Sequence, residues 1–517
     1  MKKRFVLALS LAGLTLAFPM HAAATHHREE IKAKAAPQNA PVEAKEKKVE
    51  SHGSVTVDGQ RILYTATAGT IILHDEKGKP EATMFYIAYA KDNADASKRP
   101  VTFAYNGGPG GSSVLVNLGG FGPRRVETAN AKPTPPAPYT LENNPYSLLD
   151  RTDLVFIDAV GTGLSKLLGD AEGKEFWGAD QDVASFGQFI QNYLTENNRW
   201  NSPKFLLGES YGTPRSDMLA SWLQSNGIAL NGVVLLSSAL NMNVRFSFQP
   251  PGSNDLSYEL YLPSYAAIAW YHDKLPNKPT DLPSFVNQVR KFALGDYATA
   301  LRAGDRISAS ELDAVAAQLH SFIGLSENYL KEANLRVTPR RFMKELLRGE
   351  RRTVGRYDAR FVGIDPDAAG ENPGYDASAT AMFPAVVSTF HSYLNNDLKF
   401  PGAAQYTFLS YKVNRAWDWH HRVNGRNYPV PDTLPDLRET MTENPHLKVF
   451  SGNGYFDLAT PFFATEYGLD HMELDPSLEK NITFAYYHTG HMIYIRTSAL
   501  AKLHKDLDAF YAGATGG

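Results

Sequence analysis

Residues 204–212 read KFLLGESYG: an apolar run, then Gly208, Glu209, Ser210, Tyr211 and Gly212, then a helical stretch from Ser216. G-x-S-x-G between a strand and a helix is a sharp turn whose glycines allow an exposed, strained serine, here Ser210. An ordinary strand-to-helix turn is the competing reading. A serine hydroxyl is a weak nucleophile, so a histidine must take its proton and a carboxylate must orient that histidine. Both residue types follow Ser210. Asp457 lies in SGNGYFDLATP beyond the apolar run 447–450, and His491 lies in HTGHMIY beyond the run 482–486. The stretch between them accommodates one helix and one strand. His488 competes with His491 for the base. Gly490 frees the backbone beside His491 and favours it. The His-x-x-His pair also has metal-ligand spacing, but no H-E-x-x-H helix accompanies it, and neither a metal nor a cofactor is expected.

Serine acyl chemistry also needs N–H donors for the developing oxyanion. Asn106-Gly107-Gly108-Pro109-Gly110-Gly111-Ser112-Ser113 follows the strand-like run VTFAY directly. Its glycines bare the backbone, so the N–H groups of Gly108 and Tyr211 could converge on one oxygen. A phosphate loop is the rival reading of a Gly-rich turn after a strand, but no GK[ST] or GxGxxG follows. A simple tight turn is the other.

The elements that must position these residues alternate. Short apolar runs recur at 101–105, 153–157, 204–207, 232–236, 447–450 and 482–486 between helical stretches. This predicts an α/β fold, a mainly parallel central sheet with helices on both faces. Ahead of it, SVTV, ILYTATAG, TIILHD and ATMFYIAYA, broken by DG and GK turn signals, predict β-hairpins. Between 246 and 394 strand signals stop; Ser308 to Glu311 reads as a capping box, and Thr338-Pro339 opens a helix that Gly349 could close. A helical cap insertion over 246–394, between core segments 51–245 and 395–517, is the simplest organisation. A separate helical domain is the alternative.

Lys2, Lys3 and Arg4 precede an apolar run from Phe5 to Phe18 and then Ala22-Ala23-Ala24. That order predicts a secretory signal over 1–24, too short to span a bilayer, which needs about 20 apolar residues. Residues 25–50, rich in Ala, Pro, Lys and Glu, read as a solvated linker. The chain of 517 residues has no cysteine, and 52 Lys and Arg face 55 Asp and Glu. Thiol nucleophiles and Cys-based metal sites are excluded, and no global field points to nucleic acid or an anionic membrane. An exported protein without disulfides suits a bacterial periplasm or secretion beyond it.

NGGPGGSS, DAVGTGLS, GESYG, the Asp457 loop and GHM, in this order over about residues 95–510, resemble the serine carboxypeptidases, especially their bacterial exported members. The resemblance implies an α/β-hydrolase fold with a helical cap. It also implies Ser210, Asp457 and His491 as a triad, Gly108 and Tyr211 as oxyanion hole, and a peptide substrate with a free C-terminus. The substrate carboxylate would be read by Asn106 and Glu209. An esterase, amidase or acyltransferase on the same machinery is the alternative. The chain departs from the family at Ala104, where a Trp is usual, at Gly111, where a Cys is usual, and at Gly120, where a Glu often supports the carboxylate site. Arg124 and Arg125 follow that last position, and a positive charge from them could hold the substrate carboxylate instead.

Overall fold

The computed structural model describes residues 45–246 and 254–516; the expected signal segment 1–24 and residues 25–44 of the expected linker lie outside it. Three antiparallel strands come first: β1 (Lys48–Val57), β2 (Gln60–His74) and β3 (Pro80–Lys91). Strand thus begins inside the stretch read as linker. Val57 pairs with Gln60 across Asp58-Gly59, both at positive φ (47° and 77°), the two-residue turn whose twist matches a hairpin.

Six further strands continue the main sheet: β4 (Val101–Tyr105), β5 (Asp153–Ile157), β6 (Lys204–Glu209), β7 (Gly232–Leu236), β8 (Lys448–Gly454) and β9 (Ile482–Tyr487). A two-residue strand, Lys166–Leu167, pairs antiparallel with β3 off the main path. The order is β1-β2-β3-β5-β4-β6-β7-β8-β9. β3 meets β5 antiparallel, and every later pairing is parallel. Strands β4 to β7 are buried along their whole length, as a sheet covered on both faces requires. Side chains alternate between two cores. Leu207, Val234 and Leu236 enter one with Leu500 and Leu507, while Leu206, Val233 and Leu235 enter the other with Phe186 and Leu219.

Phe186 belongs to α1 (Ala179–Glu196) and Leu219 to α2 (Gly212–Ser225), which directly follows β6. Parallel pairing brings the carboxyl ends of β4, β6, β8 and β9 to one edge. That edge carries the loops expected to do chemistry.

The 246–394 stretch is more varied than a helical insertion. Helices α3 (Leu256–Tyr271), α4 (Leu282–Phe292) and α5 (Ala309–Ile323) build a third core around Leu260, Phe285, Leu319 and Phe342. α5 opens with the expected capping box: Ser308 Oγ accepts from Glu311 N, and Glu311 Oε2 from Ser308 N. Strands do not stop there, however, since Arg352–Val354 and Val362–Ile364 form an antiparallel hairpin. Helix α6 (Ala377–Asn396) puts Met382, Val386 and Phe390 into the sheet's own core, so this part of the stretch packs with the main sheet. Among the described residues no helix is long and apolar enough to cross a membrane.

Candidate active site

Ser210 sits between β6 and α2 at φ 60°, a left-handed conformation that a non-glycine residue adopts only under constraint. The constraint is visible. A Cβ on Gly208 would lie 2.1 Å from Gly212 O, so strand and helix approach too closely for any side chain there. Ser210 N donates to Leu236 O (3.0 Å), and Thr213 donates to Ser210 O through N (2.9 Å) and Oγ1 (2.7 Å). The backbone is pinned and the hydroxyl is left to the cleft. One turn on, fully buried Arg215 donates to Asp182 Oδ2 (2.5 Å) and to Asn106 O (2.9 Å), with Phe186 stacked 4.4 Å from its guanidinium. It ties the serine's helix to the glycine loop.

In that loop a Cβ on Gly107 would lie 2.3 Å from Tyr211 N, so the two backbones touch. Gly108 follows at φ 120°. Neither the Gly108 N–H nor the Tyr211 N–H has a protein acceptor among the described residues. Asn106 is fixed on both sides: Oδ1 accepts from Val116 N (3.0 Å) and Nδ2 donates to Glu209 Oε1 (2.7 Å). The DAVGTGLS segment braces the loop from behind, where Ser113 N donates to Asp158 Oδ1 (2.7 Å). Burial pushes the Asp158 carboxyl up to about 7, against the pull of that N–H.

Asp457 lies just past β8 and is fully buried. Oδ1 accepts from Ala459 N (2.7 Å) and Thr460 N (3.0 Å), while Oδ2 lies 2.7 Å from His491 Nδ1 and accepts from Thr460 Oγ1 (2.7 Å). With Nδ1 so engaged, Nε2 is the imidazole nitrogen left free for the cleft. His491 N donates to Tyr357 O (2.6 Å), and Ser237 Oγ donates to His491 O (2.6 Å). Gly490 is obligatory, because a Cβ there would meet Tyr357 O at 2.3 Å. His488 is exposed and lies edge-on to Tyr455 and Phe456, with no hydrogen bond to Asp457.

Ser210 and His491 line one cleft of about 580 Å³, its open mouth included, with Asn106, Gly108 and Glu209. Apolar walls come from Leu115, Phe383, Phe408 and Met492, and Arg356 supplies a cation. Glu209 is 2% exposed, and its Oε2 has no hydrogen-bond partner among the described residues. Burial raises its carboxyl to about 7; positive charge on His491 and the nearby Tyr494 hydroxyl act the other way, and Asp457 adds to the rise.

Arg124 and Arg125 do not fill the place of the missing family glutamate. They lie in a short strand, Arg124–Val126, paired with Leu141–Asn143, where Arg124 donates to Leu141 O (3.0 Å) and Arg125 is buried. The space at Gly120 holds the ring of Tyr494 instead: a Cβ there would be 3.0 Å from Tyr494 Cδ1, and one on Gly119 2.7 Å from Cε2. Sequence reasoning missed Thr460, Arg356, Tyr357 and Tyr494. Only Thr460 had a signal, three residues after Asp457 where an aspartate commonly binds its own downstream backbone.

Residues 68–231 match the family model described as serine carboxypeptidase. That span holds Asn106, Gly108, Glu209, Ser210 and Tyr211, while Asp457 and His491 lie beyond it. Serine carboxypeptidase-like 36 of Arabidopsis thaliana is 25% identical over 177 residues, 33% of this chain and 34% of the relative. The chain thus spans about a third of the length of the curated relative it matches. The crystal structure of Kex1(delta)p, a prohormone-processing carboxypeptidase from Saccharomyces cerevisiae, superposes with a TM-score of 0.55 at 15% identity over 86% of this chain and 91% of that one. At that identity the likeness is one of fold. Over residues 68–231 the chain matches the serine carboxypeptidase family, and its fold is that of the α/β-hydrolases.

Proposed function

We propose that the protein is an exported serine carboxypeptidase that removes C-terminal residues from peptides through an acyl-enzyme. Ser210 Oγ attacks the last peptide carbonyl carbon while His491 Nε2 takes its proton, and Asp457 holds the imidazolium through Nδ1. The Gly108 and Tyr211 N–H groups receive the oxyanion. On collapse the peptide C–N bond breaks and the leaving amine takes the proton from His491. Water then repeats the sequence on the ester and frees Ser210. Asn106 and Glu209 hold the substrate carboxylate beside the scissile bond. The N-terminal charge and hydrophobicity order supports export to a periplasm or beyond.

The observation that carries this reading is the 2.7 Å Asp457–His491 contact behind a cleft that Ser210 enters from a strained turn. The test is incubation with a peptide mixture followed by mass spectrometry. Stepwise loss of C-terminal residues is expected, and Ser210→Ala, Asp457→Ala and His491→Ala should each remove nearly all turnover without being additive. Cleavage of esters with every peptide left intact would replace this reading with an esterase or acyltransferase.

A further inference from the structure

We propose that Arg356 binds a carboxylate of the substrate in this cleft. The proposal rests on the carboxypeptidase reading for its substrate class, and it names a residue from outside the segment matched to the family.

Arg356 stands in the turn of the Arg352–Val354/Val362–Ile364 hairpin, and that turn is fastened to both loops that carry the acid and the base. Leu458 N donates to Arg356 O (3.1 Å), next to Asp457, and His491 N donates to Tyr357 O. Arg356 N donates to Asp376 Oδ1 (3.0 Å), and the N–H groups of Tyr357 and Asp358 donate to Ser378 Oγ (3.2 Å each). The buried Asp358–Arg360 ion pair (2.6 Å) and Ala359 N donating to Phe456 O (3.0 Å) complete the attachment. The Arg356 side chain therefore leaves a backbone whose position is set by the catalytic loops themselves.

Its guanidinium lies 4.8 Å over the Tyr357 ring and pairs with no carboxylate among the described residues. Arg360, four residues on, is by contrast clamped by Asp358 through two nitrogens. Asp376, whose field reaches Arg356 and helps hold its charge, spends Oδ1 on the backbone N–H groups of Arg356, Ser378 and Ala379, while its Oδ2 has no hydrogen-bond partner among the described residues and forms no ion pair with Arg356. A half-buried arginine against apolar walls, always charged and in no ion pair among the described residues, keeps guanidinium donors that an incoming anion can engage. Among the described residues Glu209 is the one carboxyl in the cleft lining, and Asn106 holds it. The cleft thus offers a carboxylate a neutral hydrogen-bonding pole and, separately, a guanidinium with free donors. A charge-assisted bond there would be among the stronger contacts available to the substrate.

The test is calorimetric titration of Ser210→Ala protein, which binds without turnover, with N-acetyl-Phe-Leu, its C-terminal amide and N-acetyl-Phe-Glu amide. Adding Arg356→Ala is expected to weaken the free acid by about tenfold or more and leave the leucyl amide within about twofold; Arg356→Lys should fall between. If the loss falls on the glutamyl amide, Arg356 still reads a carboxylate, that of a side chain. Equal loss on all three peptides, or no loss on any of them, would overturn the proposal. Peptide cleavage by the unaltered enzyme is scored separately, so binding through Arg356 without cleavage would refute the carboxypeptidase reading alone.

Discussion

Glu209 ties the chemistry of the cleft to pH. Desolvation keeps its carboxyl neutral up to about 7, and the groups that face it are Asn106, His491, Asp457 and Tyr494. Neutral, it can donate to a substrate carboxylate; ionised, it repels one. The KM for a free-acid peptide should therefore be flat in acid and rise as pH passes about 7, while the KM for the matching amide stays level. Glu209→Gln keeps an N–H donor and removes the titration, so its free-acid KM should not rise. An unchanged rise would place the titration elsewhere. Stability follows the same group. Its folded value lies above the ordinary 4.5, so the folded state holds the proton more tightly and loses stability as pH climbs from about 4.5 through 7. Thermal unfolding of Glu209→Gln across that range should lack this part of the decline.

At the scale of elements, the site depends on three backbones meeting without side chains between them. Gly107 faces Tyr211 N, Gly208 faces Gly212 O and Gly490 faces Tyr357 O. Gly107→Ala must push the glycine loop off the elbow and so disturb the proposed pairing of the Gly108 and Tyr211 N–H groups as oxyanion donors. We expect kcat on a neutral ester to fall about 100-fold, the order seen when an oxyanion donor is lost, and stability to fall by about 1–3 kcal/mol. Steady-state kinetics with thermal unfolding checks both, and a normal kcat would separate that loop from oxyanion binding. The strands were legible because fully buried ones read as continuous apolar runs. β2 was harder, since Gly69 divides ILYTATAG from TIILHD. The strand runs through because Gly69 pairs with Tyr86, whose ring covers it 2.8 Å from where a Cβ would stand.

Across the whole molecule, the third core joins the insertion to the catalytic edge. Phe456, Leu458 and Phe462, which flank Asp457, share that core with Tyr265 and Phe342, stacked at 4.3 Å. Phe342→Ala should cost about 3–5 kcal/mol in the cavity left behind. Because the core is shared, amide exchange should quicken around Asp457 as well as in α3, while β4 to β7 keep their protection, and turnover should fall with it. Hydrogen exchange read by mass spectrometry decides this. Loosening confined to α3–α5 would show the insertion to be energetically independent of the site.

Local pattern was sufficient for the sheet, the elbow, the glycine loop, the capping box and the pairing of Asp457 with His491 rather than His488. Each depends on nearest neighbours: apolar runs that must be buried, glycines that must turn, a loop that must follow a strand. The span matched to the family ends before both Asp457 and His491, and only the parallel pairing of β6, β7, β8 and β9 carries these to the serine. The lining of the cleft was not legible. Arg356 and Tyr357 reach it from a hairpin within a stretch that read as helix, and Tyr494 occupies space that exists only because Gly119 and Gly120 have no side chains. Arg124 and Arg125 stood closer in sequence to Gly120, yet they lie on a separate hairpin and do not line the cleft. Contacts of this kind join segments far apart in the chain. No local spacing encodes them, and the tertiary packing alone decided which charge faces the substrate.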